Sequence, residues 1–444
     1  MKIVIAGAGS VGSHLAKMLS REEQDITLID TDTERLATID ANYNLLTING
    51  NPTSFQVLQQ AHVEGCDLFI AVMPHETRNL VACAIANSLG AKKAVARVDN
   101  FEYKMPAHKD FFASLGVADV IYPEYLAALE IITALEHNWV RNWFELHDGE
   151  LIIVGVKIRD NAPIIGMQLK ELAMTHHSFH VAAIKRNHET IFPRGDDYIR
   201  PNDIVYFASR RENVDKLVDI CGKVYRPIRD IMIMGGSRIA IRLVHMVGDK
   251  YNFKIIETDR DLCVQLSQKC PQAEIINADA RDIDTLKEEG ISSADAFIAL
   301  AESSEANILT CLSAKEFGVI KTIAEVENLQ FISEAENLNI GTIVNKKLLA
   351  SSRIFQILLD TDTSTSRCLA MADAEVAEIV AREGSRITRA PVKDLRLSRD
   401  MTIAGLIRDG HGSLVTGNTL IQPGDHVVVF CLNGVIHTVE KLFS

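Results

Sequence analysis

The chain of 444 residues is long enough for two to four domains, each with a core of its own. Its composition, 47% hydrophobic and 24% charged with a mean hydropathy of +0.07, excludes a disordered chain and a membrane-embedded one. The formal net charge of −13 argues against binding to nucleic acid or anionic lipid, which requires clustered lysine and arginine.

The amino-terminal sequence has neither the apolar core nor the cleavage site of a signal peptide, and no apolar run approaches the ~20 residues of a membrane-spanning helix. We therefore expect a cytoplasmic protein whose association with a membrane would be peripheral. The eight cysteines include no CxxC pair. Their scatter predicts reduced, mostly buried thiols rather than disulfides or a zinc site.

The first predicted strand, Lys2 to Ala6, leads through a glycine motif into a helix over Ser13 to Leu19. The motif has the spacing GxGxxG and consists of Gly7, Ala8, Gly9, Ser10, Val11 and Gly12. In a dinucleotide fold the first glycine permits a tight turn, the second lets a pyrophosphate approach the backbone, and the third lets the helix pack on the strand. The amides of the helix then face the phosphates.

The second predicted strand, DITLID, ends at Asp30, which is 18 residues after Gly12. An acidic side chain at this position can accept hydrogen bonds from both hydroxyls of an adenosine ribose. Asp30 therefore favours NAD over NADP, and Thr31 follows where an arginine would have suggested NADP. The alternative is a glycine turn in an α/β unit that binds no ligand.

Four further strands, NLLTI, DLFIAV, KAVARV and DVIY, alternate with helical stretches near 53–60, 77–89 and 123–137. Six such strands predict a Rossmann-like, doubly wound parallel sheet, on which ligands bind beyond the carboxyl ends of the strands. Asn51, Met73 and Arg97 lie at or just beyond those ends. Arg97 would bring a guanidinium to the phosphates or the ribose, although a surface ion pair would also explain it.

The second half of the chain repeats this plan. Residues 49–100 and 277–328 align without a gap at an offset of 228, with 14 identities in 52 positions. The ligand positions differ, because Gly7, Gly9 and Gly12 become Gly235, Ser237 and Ala240, and Arg97 becomes Glu325. Glu257 retains an acid at the ribose position. We expect the second sheet to be mainly structural, and leave open whether it binds a nucleotide.

Each sheet is followed by a small α+β lobe that contains the frame I-x-P-x-D-x-V. The predicted fold class is thus α/β, with two Rossmann-like sheets that are each followed by a small carboxyl-terminal lobe. The predicted segments are the first sheet at 1–122, a connecting helix at 123–145, the first small lobe at 146–226, the second sheet at 227–348, a connecting segment at 349–370 and the second small lobe at 371–444.

A catalytic function is the alternative to a binding function. An NAD-dependent oxidoreductase acting on a small metabolite would share the first sheet, but it would also need an acid or base beside the nicotinamide. HETRN at His75 lacks the second histidine of HExxH, and no GxxxxGK occurs. The histidines of HHSFH, from His176 to His180, could bind a metal, but the repeat has RDMTI there. We predict no catalytic residue and no metal site.

The whole chain resembles the family of tandem RCK (regulator of potassium conductance, or KTN) domain proteins. The resemblance rests on the duplicated order of sheet and small lobe, on GAGSVG with Asp30, and on the doubled P-x-D-x-V modules. It also rests on the F-I-A strand, which precedes a helix beginning near Asn79 in one copy and Asn307 in the other. Thr77 departs from the family pattern, which commonly has an acidic residue there, as at Glu305.

The resemblance implies a cytoplasmic regulatory subunit at the inner face of the cell membrane, assembled as a symmetric homodimer or homotetramer. It would bind NAD(H), with ATP and ADP as the alternative ligands, and would gate a membrane potassium transporter subunit. The implied ligand site is Gly7 to Val11, Asp30, Asn51, Met73 and Arg97. A nucleotide-binding scaffold without a membrane partner remains a third interpretation.

Overall fold

The structure is a computed structural model that describes the chain except residues 21–23, 188, 339, 360–364, 371–373 and 433–434. The chain forms two compact units, Met1–Ala127 with Lys346–Thr361, and Ala128–Asn345 with Asp362–Ser444. Among the residues described, no helix combines the length and apolar character that crossing a membrane requires.

The first unit is built on a six-stranded parallel sheet in the order β3-β2-β1-β4-β5-β6. Its strands are β1 (Lys2–Ala6), β2 (Asp25–Asp30), β3 (Leu46–Asn49), β4 (Leu68–Ala71), β5 (Ala94–Arg97) and β6 (Asp119–Ile121). Its helices are α1 (Ser10–Leu19), α2 (Thr33–Asp40), α3 (Phe55–Gln60), α4 (Glu76–Ser88), α5 (Lys109–Ser114) and the start of α6 (Pro123–Glu136).

The strands of this sheet are apolar on both faces, as expected where helices cover a parallel sheet on both sides. Ile3, Val4 and Ile5 of β1 are fully buried. A late segment of the chain, α14 (Lys346–Leu359), completes the unit by packing against α1. Arg353 of α14 forms an ion pair with Asp119 at 3.1 Å between Nη2 and Oδ2. The first unit therefore combines segments from both halves of the sequence, and the six-segment division stays a prediction.

The second unit contains a parallel sheet with the same strand order as the first, β14-β13-β12-β15-β16-β17. Its strands are β12 (Asp230–Met234), β13 (Asn252–Glu257), β14 (Ala273–Asn277), β15 (Ala296–Ala299), β16 (Lys321–Glu325) and β17 (Thr342–Val344). Its helices are α9 (Arg238–Val247), α10 (Arg260–Lys269), α11 (Ile283–Glu288), α12 (Ser304–Glu316) and α13 (Gln330–Asn337).

The second unit also contains both small lobes, each with a five-stranded antiparallel sheet. The first has the order β10-β9-β11-β8-β7 and comprises β7 (Asn142–Leu146), β8 (Leu151–Lys157), α7 (Leu169–Thr175), β9 (Phe179–Arg186), β10 (Glu189–Ile191), β11 (Ile204–Ser209) and α8 (Val214–Ile220). The second has the order β18-β19-β22-β20-β21 and comprises β18 (Thr365–Ala370), β19 (Ala374–Val380), β20 (Met401–Arg408), β21 (His411–Leu414), β22 (His426–Leu432) and α15 (Ile436–Phe443).

The aspartate of the repeated I-x-P-x-D-x-V frame has a structural role in both lobes. Asp203 is nearly fully buried and accepts two hydrogen bonds from the guanidinium of Arg186, at 2.9 and 2.8 Å. Asp425 forms the same forked pair with Arg408, at 2.7 and 2.6 Å. Planar pairs of this kind are geometrically specific, so they fix the turn that precedes the central strand of each lobe.

The two small lobes share one apolar core. Leu151, Ile153 and Tyr206 of the first lobe belong to the same buried cluster as Val428 and Phe430 of the second. A separate cluster lies behind each sheet and includes its own helices. Each small sheet is therefore buried on both faces.

The structure confirms the predicted fold class of two doubly wound parallel sheets with small α+β lobes. All six strands predicted for the first sheet are present, with bounds that differ by at most two residues. The helices α2 and α5 were not predicted. Both are short, and the buried face of α5 is reduced to Phe112, which leaves little periodicity in the sequence.

Candidate functional site

The glycine loop lies between β1 and α1, where the order of the strands reverses between β1 and β4. Gly7 has a φ of +110°, which residues with a side chain rarely adopt. A Cβ on Gly7 would lie 3.0 Å from the backbone nitrogen of Met73 and 3.1 Å from the carbonyl carbon of Val72. Gly7 is thus required by the turn and by the close approach of the chain after β4.

The other two glycines of the motif have different surroundings. A Cβ on Gly12 would overlap the carbonyl oxygen of Gly7, so glycine is needed there for α1 to pack against the loop. Gly9 has an ordinary φ of −68°, and apart from Gly9 itself and its two chain neighbours no heavy atom of the protein lies within 4 Å of the position that its Cβ would take. The protein's own packing therefore does not require glycine at position 9, and bare backbone faces open space there.

The helix α1 begins directly behind this open space. Its N-cap residue is Gly9, and no side chain caps its first turn. In the second sheet the corresponding helix, α9, is capped by Ser237, whose Oγ accepts a hydrogen bond from the amide of Ala240 at 3.4 Å. The first amides of α1 are therefore available to an external acceptor. In α9, one of the corresponding amides already donates to the side chain of Ser237.

Asp30 lies at the carboxyl end of β2 and is partly exposed. Its Oδ2 accepts a hydrogen bond from the amide of Ala8 at 2.5 Å, and its Oδ1 accepts one from the amide of Asp32 at 2.8 Å. The carboxylate thus fixes the glycine loop, and each oxygen retains a lone pair for a second donor. Glu257 holds the amides of Gly236 and Asp259 in the same way.

Met73 and Arg97 are joined through Asn79, a buried residue of α4. Asn79 Oδ1 accepts a hydrogen bond from the amide of Met73 at 2.8 Å, and its Nδ2 donates to the carbonyl groups of Met73 and Arg97 at 3.0 and 2.8 Å. Asn307 makes the equivalent bonds in the second sheet, to Ala301 and Glu325. The sequence analysis missed this role, although the identity of the two asparagines could have suggested it.

The side chain of Arg97 is about three-quarters buried at the end of β5. Its Nη2 pairs with Asp99 at 3.2 Å, and its Nε is buried without a hydrogen-bond partner. The sequence analysis offered a phosphate ligand or a surface ion pair; the structure contains an ion pair that is mostly buried, and the phosphate contact stays a prediction. The unsatisfied Nε leaves a donor for a further acceptor, because a buried N–H without a partner is costly.

The chain that follows β5 is held by Glu76, which the sequence analysis did not identify. Its carboxylate Oε2 accepts hydrogen bonds from the amides of Asp99 and Asn100, both at 2.8 Å. In the second copy Ser304 makes the same contacts through its hydroxyl, at 3.0 and 3.4 Å. The same backbone turn is therefore stabilised by a charged group in one copy and a neutral one in the other.

The outermost predicted residue is Asn51. It is exposed, and its Oδ1 accepts hydrogen bonds from the amide and the hydroxyl of Thr53 at 3.1 and 2.9 Å. The preceding residue, Gly50, donates its amide to the carbonyl of Asp30 at 2.9 Å. All ten predicted site residues thus lie at or just beyond the carboxyl ends of strands in one parallel sheet, at one edge of it.

The corresponding edge of the second sheet is less open and differs in charge. A Cβ on Gly236 would meet the side chain of Leu266, which fills the space beside the loop. Glu325 replaces Arg97 and is 5% exposed. An anion at this position repels a phosphate. A pyrophosphate would therefore meet fewer donors and an opposing charge in the second copy.

Among the described residues, seven cysteines are free and buried. Burial raises the pKa of the Cys66 thiol to about 11 and that of Cys311 to about 12, so neither is an activated nucleophile at neutral pH.

The histidines of HHSFH do not form a three-ligand group within the part of the chain that the structure describes.

Comparison with known families finds the TrkA-N domain twice, at residues 3–123 and 231–346, and the TrkA-C domain twice, at residues 153–222 and 376–444. The Trk system potassium uptake protein TrkA of Halomonas elongata is 29% identical over 453 residues, covering 100% of this chain and 99% of that protein. A TrkA homolog of Archaeoglobus fulgidus is 30% identical over 449 residues, covering 100% of both.

A solved structure described as the GsuK channel bound to NAD has the same fold. It superposes with a TM-score of 0.60, covering 100% of this chain and 78% of that one, at 14% sequence identity. At this identity the similarity concerns the fold alone. The matched domains recur in the order that the repeat analysis predicted, sheet, small lobe, sheet, small lobe.

Proposed function

This chain belongs to the TrkA family of proteins with paired TrkA-N and TrkA-C domains, and from that premise we propose that it is a nucleotide-sensing regulatory subunit of a potassium transporter. The family is regulatory rather than catalytic, which confirms that the chain is not an enzyme and rules out the oxidoreductase alternative.

One observation carries the assignment of the ligand site. The helix α1 begins at bare backbone that faces open space, with no side chain over its first amides. Such a helix end attracts an anion, because unpaired N–H groups and the positive end of the helix dipole coincide there. The equivalent end of α9 is capped by Ser237. The open end at Gly9 therefore fits the phosphates of a nucleotide.

The remaining residues fit the other parts of NAD(H). The pyrophosphate would lie on the amides of Gly9 to Gly12, and the free lone pairs of Asp30 would accept the ribose hydroxyls. Arg97 would donate its buried Nε to a phosphate, while Met73 and Asn51 would border the ligand. ATP or ADP would use the same adenosine and phosphate contacts. Solved structures described as GsuK carry NAD in one case and ADP in another, so the same fold accommodates both kinds of nucleotide.

The proposed action is a shift between two arrangements of an assembly. A nucleotide changes gating only if it binds one arrangement more tightly than the other, and a tenfold preference is worth about 1.4 kcal/mol. One or two hydrogen bonds to phosphate supply that amount. We propose a homodimer or homotetramer in the cytoplasm, at the inner face of the membrane, bound to a TrkH-like or TrkG-like potassium transporter subunit.

Calorimetric titration of the full chain with NADH, NAD and ATP tests the site. Gly9→Asp fits the open space without a clash, but it sets a carboxylate against the phosphates, and we expect a loss of at least about tenfold in affinity. The matched control is Ser237→Asp at the equivalent position of α9, where aspartate also caps a helix. It should bind as the parent does.

Equal binding by Gly9→Asp and the parent would refute the first loop as the site, and loss of binding only in Ser237→Asp would move the site to the second sheet. Potassium flux through vesicles that contain the membrane subunit tests the regulatory part separately. Addition of the chain should make the flux depend on nucleotide. A flux that ignores both the chain and the nucleotide would favour a scaffold without a membrane partner.

A further inference from the structure

Two histidines and one glutamate meet within the second unit, far from the glycine loop in sequence. His147 comes from the turn after β7 of the first small lobe, while Glu378 of β19 and His426 of β22 belong to the second. Their ligand atoms all lie within 4.8 Å of one another. Among the described residues this is the single group of three side chains with such spacing.

The backbone aims these side chains at one point. In the pairing of β19 with β22, Glu378 lies opposite Val428, two residues from His426, so the two side chains are diagonal neighbours on one face. His147 has a φ of +50°, which is uncommon for a residue with a side chain. This conformation turns the chain directly after β7, where His147 lies beside the two ligand groups of the second lobe.

The distances suit an ion of the size and geometry of zinc. His426 Nδ1 lies 2.8 Å from Glu378 Oε1, and His147 Nδ1 lies 3.6 Å from the same oxygen. Ligands of a tetrahedral zinc ion, each about 2.0 to 2.2 Å from the metal, are about 3.3 Å apart. The longer distance is close to that value, whereas the shorter one is a hydrogen bond between imidazole and carboxylate that a bound ion would replace. Small side-chain rotations would therefore bring the three groups into coordination.

The chemistry of the donor set excludes the hard cations. Calcium takes six to eight oxygen ligands and magnesium prefers oxygen in an octahedron, whereas two imidazoles and a carboxylate are a common zinc set. The glutamate side chain is 2% exposed, and the two imidazoles are 37% and 36% exposed. An ion can thus enter from solvent, with water in the fourth position.

The first small lobe does not repeat this arrangement. In the first lobe, Ile204 of β11 pairs with Lys157 of β8, and in the second, His426 of β22 pairs with Val380 of β19. Ile204 therefore occupies the position of His426. Two residues before Lys157, Gly155 occupies the position of Glu378. Neither Ile204 nor Gly155 can bind a metal. Only one of the two duplicated lobes therefore has Glu378 and His426 at these positions. The fold of the lobe does not itself require these residues.

We propose that His147, Glu378 and His426 form a site for a divalent transition metal ion of the zinc type. The site takes one ligand from the first small lobe and two from the second, so a bound ion cross-links the lobes. Binding of this kind stabilises the paired state by mass action and makes it depend on the metal concentration. The site is distinct from the nucleotide site and goes beyond the proposed function.

The test uses the full chain without an affinity tag, freed of metal with EDTA and titrated with zinc chloride by calorimetry. We expect one tight site per chain, which Mg²⁺ and Ca²⁺ do not occupy. His147→Ala and His426→Ala should each lower zinc affinity at least about tenfold. His411→Ala is the matched control, since His411 is an exposed histidine of the same small lobe. It should bind zinc as the parent does.

A measurement on the unaltered chain keeps the test independent of how the variants fold. Zinc should protect His147 and His426, but not His411, from carbethoxylation, as read by mass spectrometry of the peptides. Cobalt(II) in place of zinc should give the visible absorption of a tetrahedral ion. Absence of tight zinc binding, or protection at other histidines only, would overturn the proposal, as would full affinity in both alanine variants.

Discussion

At the scale of single residues, the candidate nucleotide site depends on side chains that need not touch the ligand. Asn79 is fully buried and satisfies three backbone groups, the amide and carbonyl of Met73 and the carbonyl of Arg97. These bonds set the separation between the ends of β4 and β5. Asn307 does the same in the second sheet, which shows that the bonds belong to the fold as well as to the site.

We expect Asn79→Ala to destabilise the first unit by about 2–4 kcal/mol, because three buried polar groups lose their partners. Hydrogen exchange followed by mass spectrometry should show faster exchange in peptides that contain β4 and β5. The matched control is Ser88→Ala, an exposed position of the same helix. If these peptides exchanged as slowly in Asn79→Ala as in the parent, the structural role assigned to Asn79 would be contradicted.

Lys321 of β16 provides a residue-scale prediction on pH. Its side chain is buried, and its Nζ donates to the carbonyl of Val140 at 2.8 Å. Burial, together with the nearby Arg141, lowers the pKa of Lys321 to about 7. Since the unfolded lysine has a pKa near 10.5, it binds more protons than the folded one between those values. Stability therefore rises with pH across this window and is lost as pH falls towards 7.

We expect the second unit to gain up to about 2 kcal/mol from Lys321 between pH 7 and pH 9. Urea denaturation at both pH values measures the gain. Lys315 titrates in the same range, because burial lowers its pKa to about 8, so the test compares the parent with Lys321→Met. The variant should show the smaller pH dependence. An equal dependence in both proteins would mean that Lys321 stays charged in the folded state.

At the scale of elements, the sequence predicted what local pattern controls. Short apolar runs between helical stretches predicted β1 to β6, and the glycine spacing predicted the loop before α1, because both signals lie within a few adjacent residues. The packing of α14 on α1 was not predictable, since their residues are over 300 positions apart. The His147, Glu378 and His426 group was missed for the same reason, because the expectation of no metal site considered residues close in sequence and their counterparts in the repeat.

The two glycine-loop helices allow an element-scale prediction. Gly9→Ser should cap α1 as Ser237 caps α9, and stabilise the first unit by a few tenths of a kcal/mol without ligand. The same hydroxymethyl group would occupy the open space and weaken nucleotide binding. Thermal unfolding without ligand measures the change in stability, and calorimetric titration of the same preparation measures the change in nucleotide affinity. A variant that binds nucleotide more tightly would show that α1 does not use its free amides for the phosphates.

At the scale of the whole molecule, duplication lets each small lobe cover an apolar face of the other. Phe430 is fully buried in the core that the two lobes share, whereas Phe443 is buried in a core formed by the second lobe alone. The continuous apolar run along β22, from Val427 to Leu432, predicts two buried faces. It does not say which partner covers each face, because any apolar surface of suitable shape could do so.

The two phenylalanines therefore form a matched pair for testing whether the lobes fold as one cooperative structure. Phe430→Ala and Phe443→Ala should each cost about 3–5 kcal/mol, since both leave a cavity. Under native conditions, Phe430→Ala should speed hydrogen exchange in β8 of the first lobe as well as in the second. Phe443→Ala should affect mainly the second, because its contacts stay within that lobe. Equal exchange in β8 for both variants would show that the shared core does not couple the lobes.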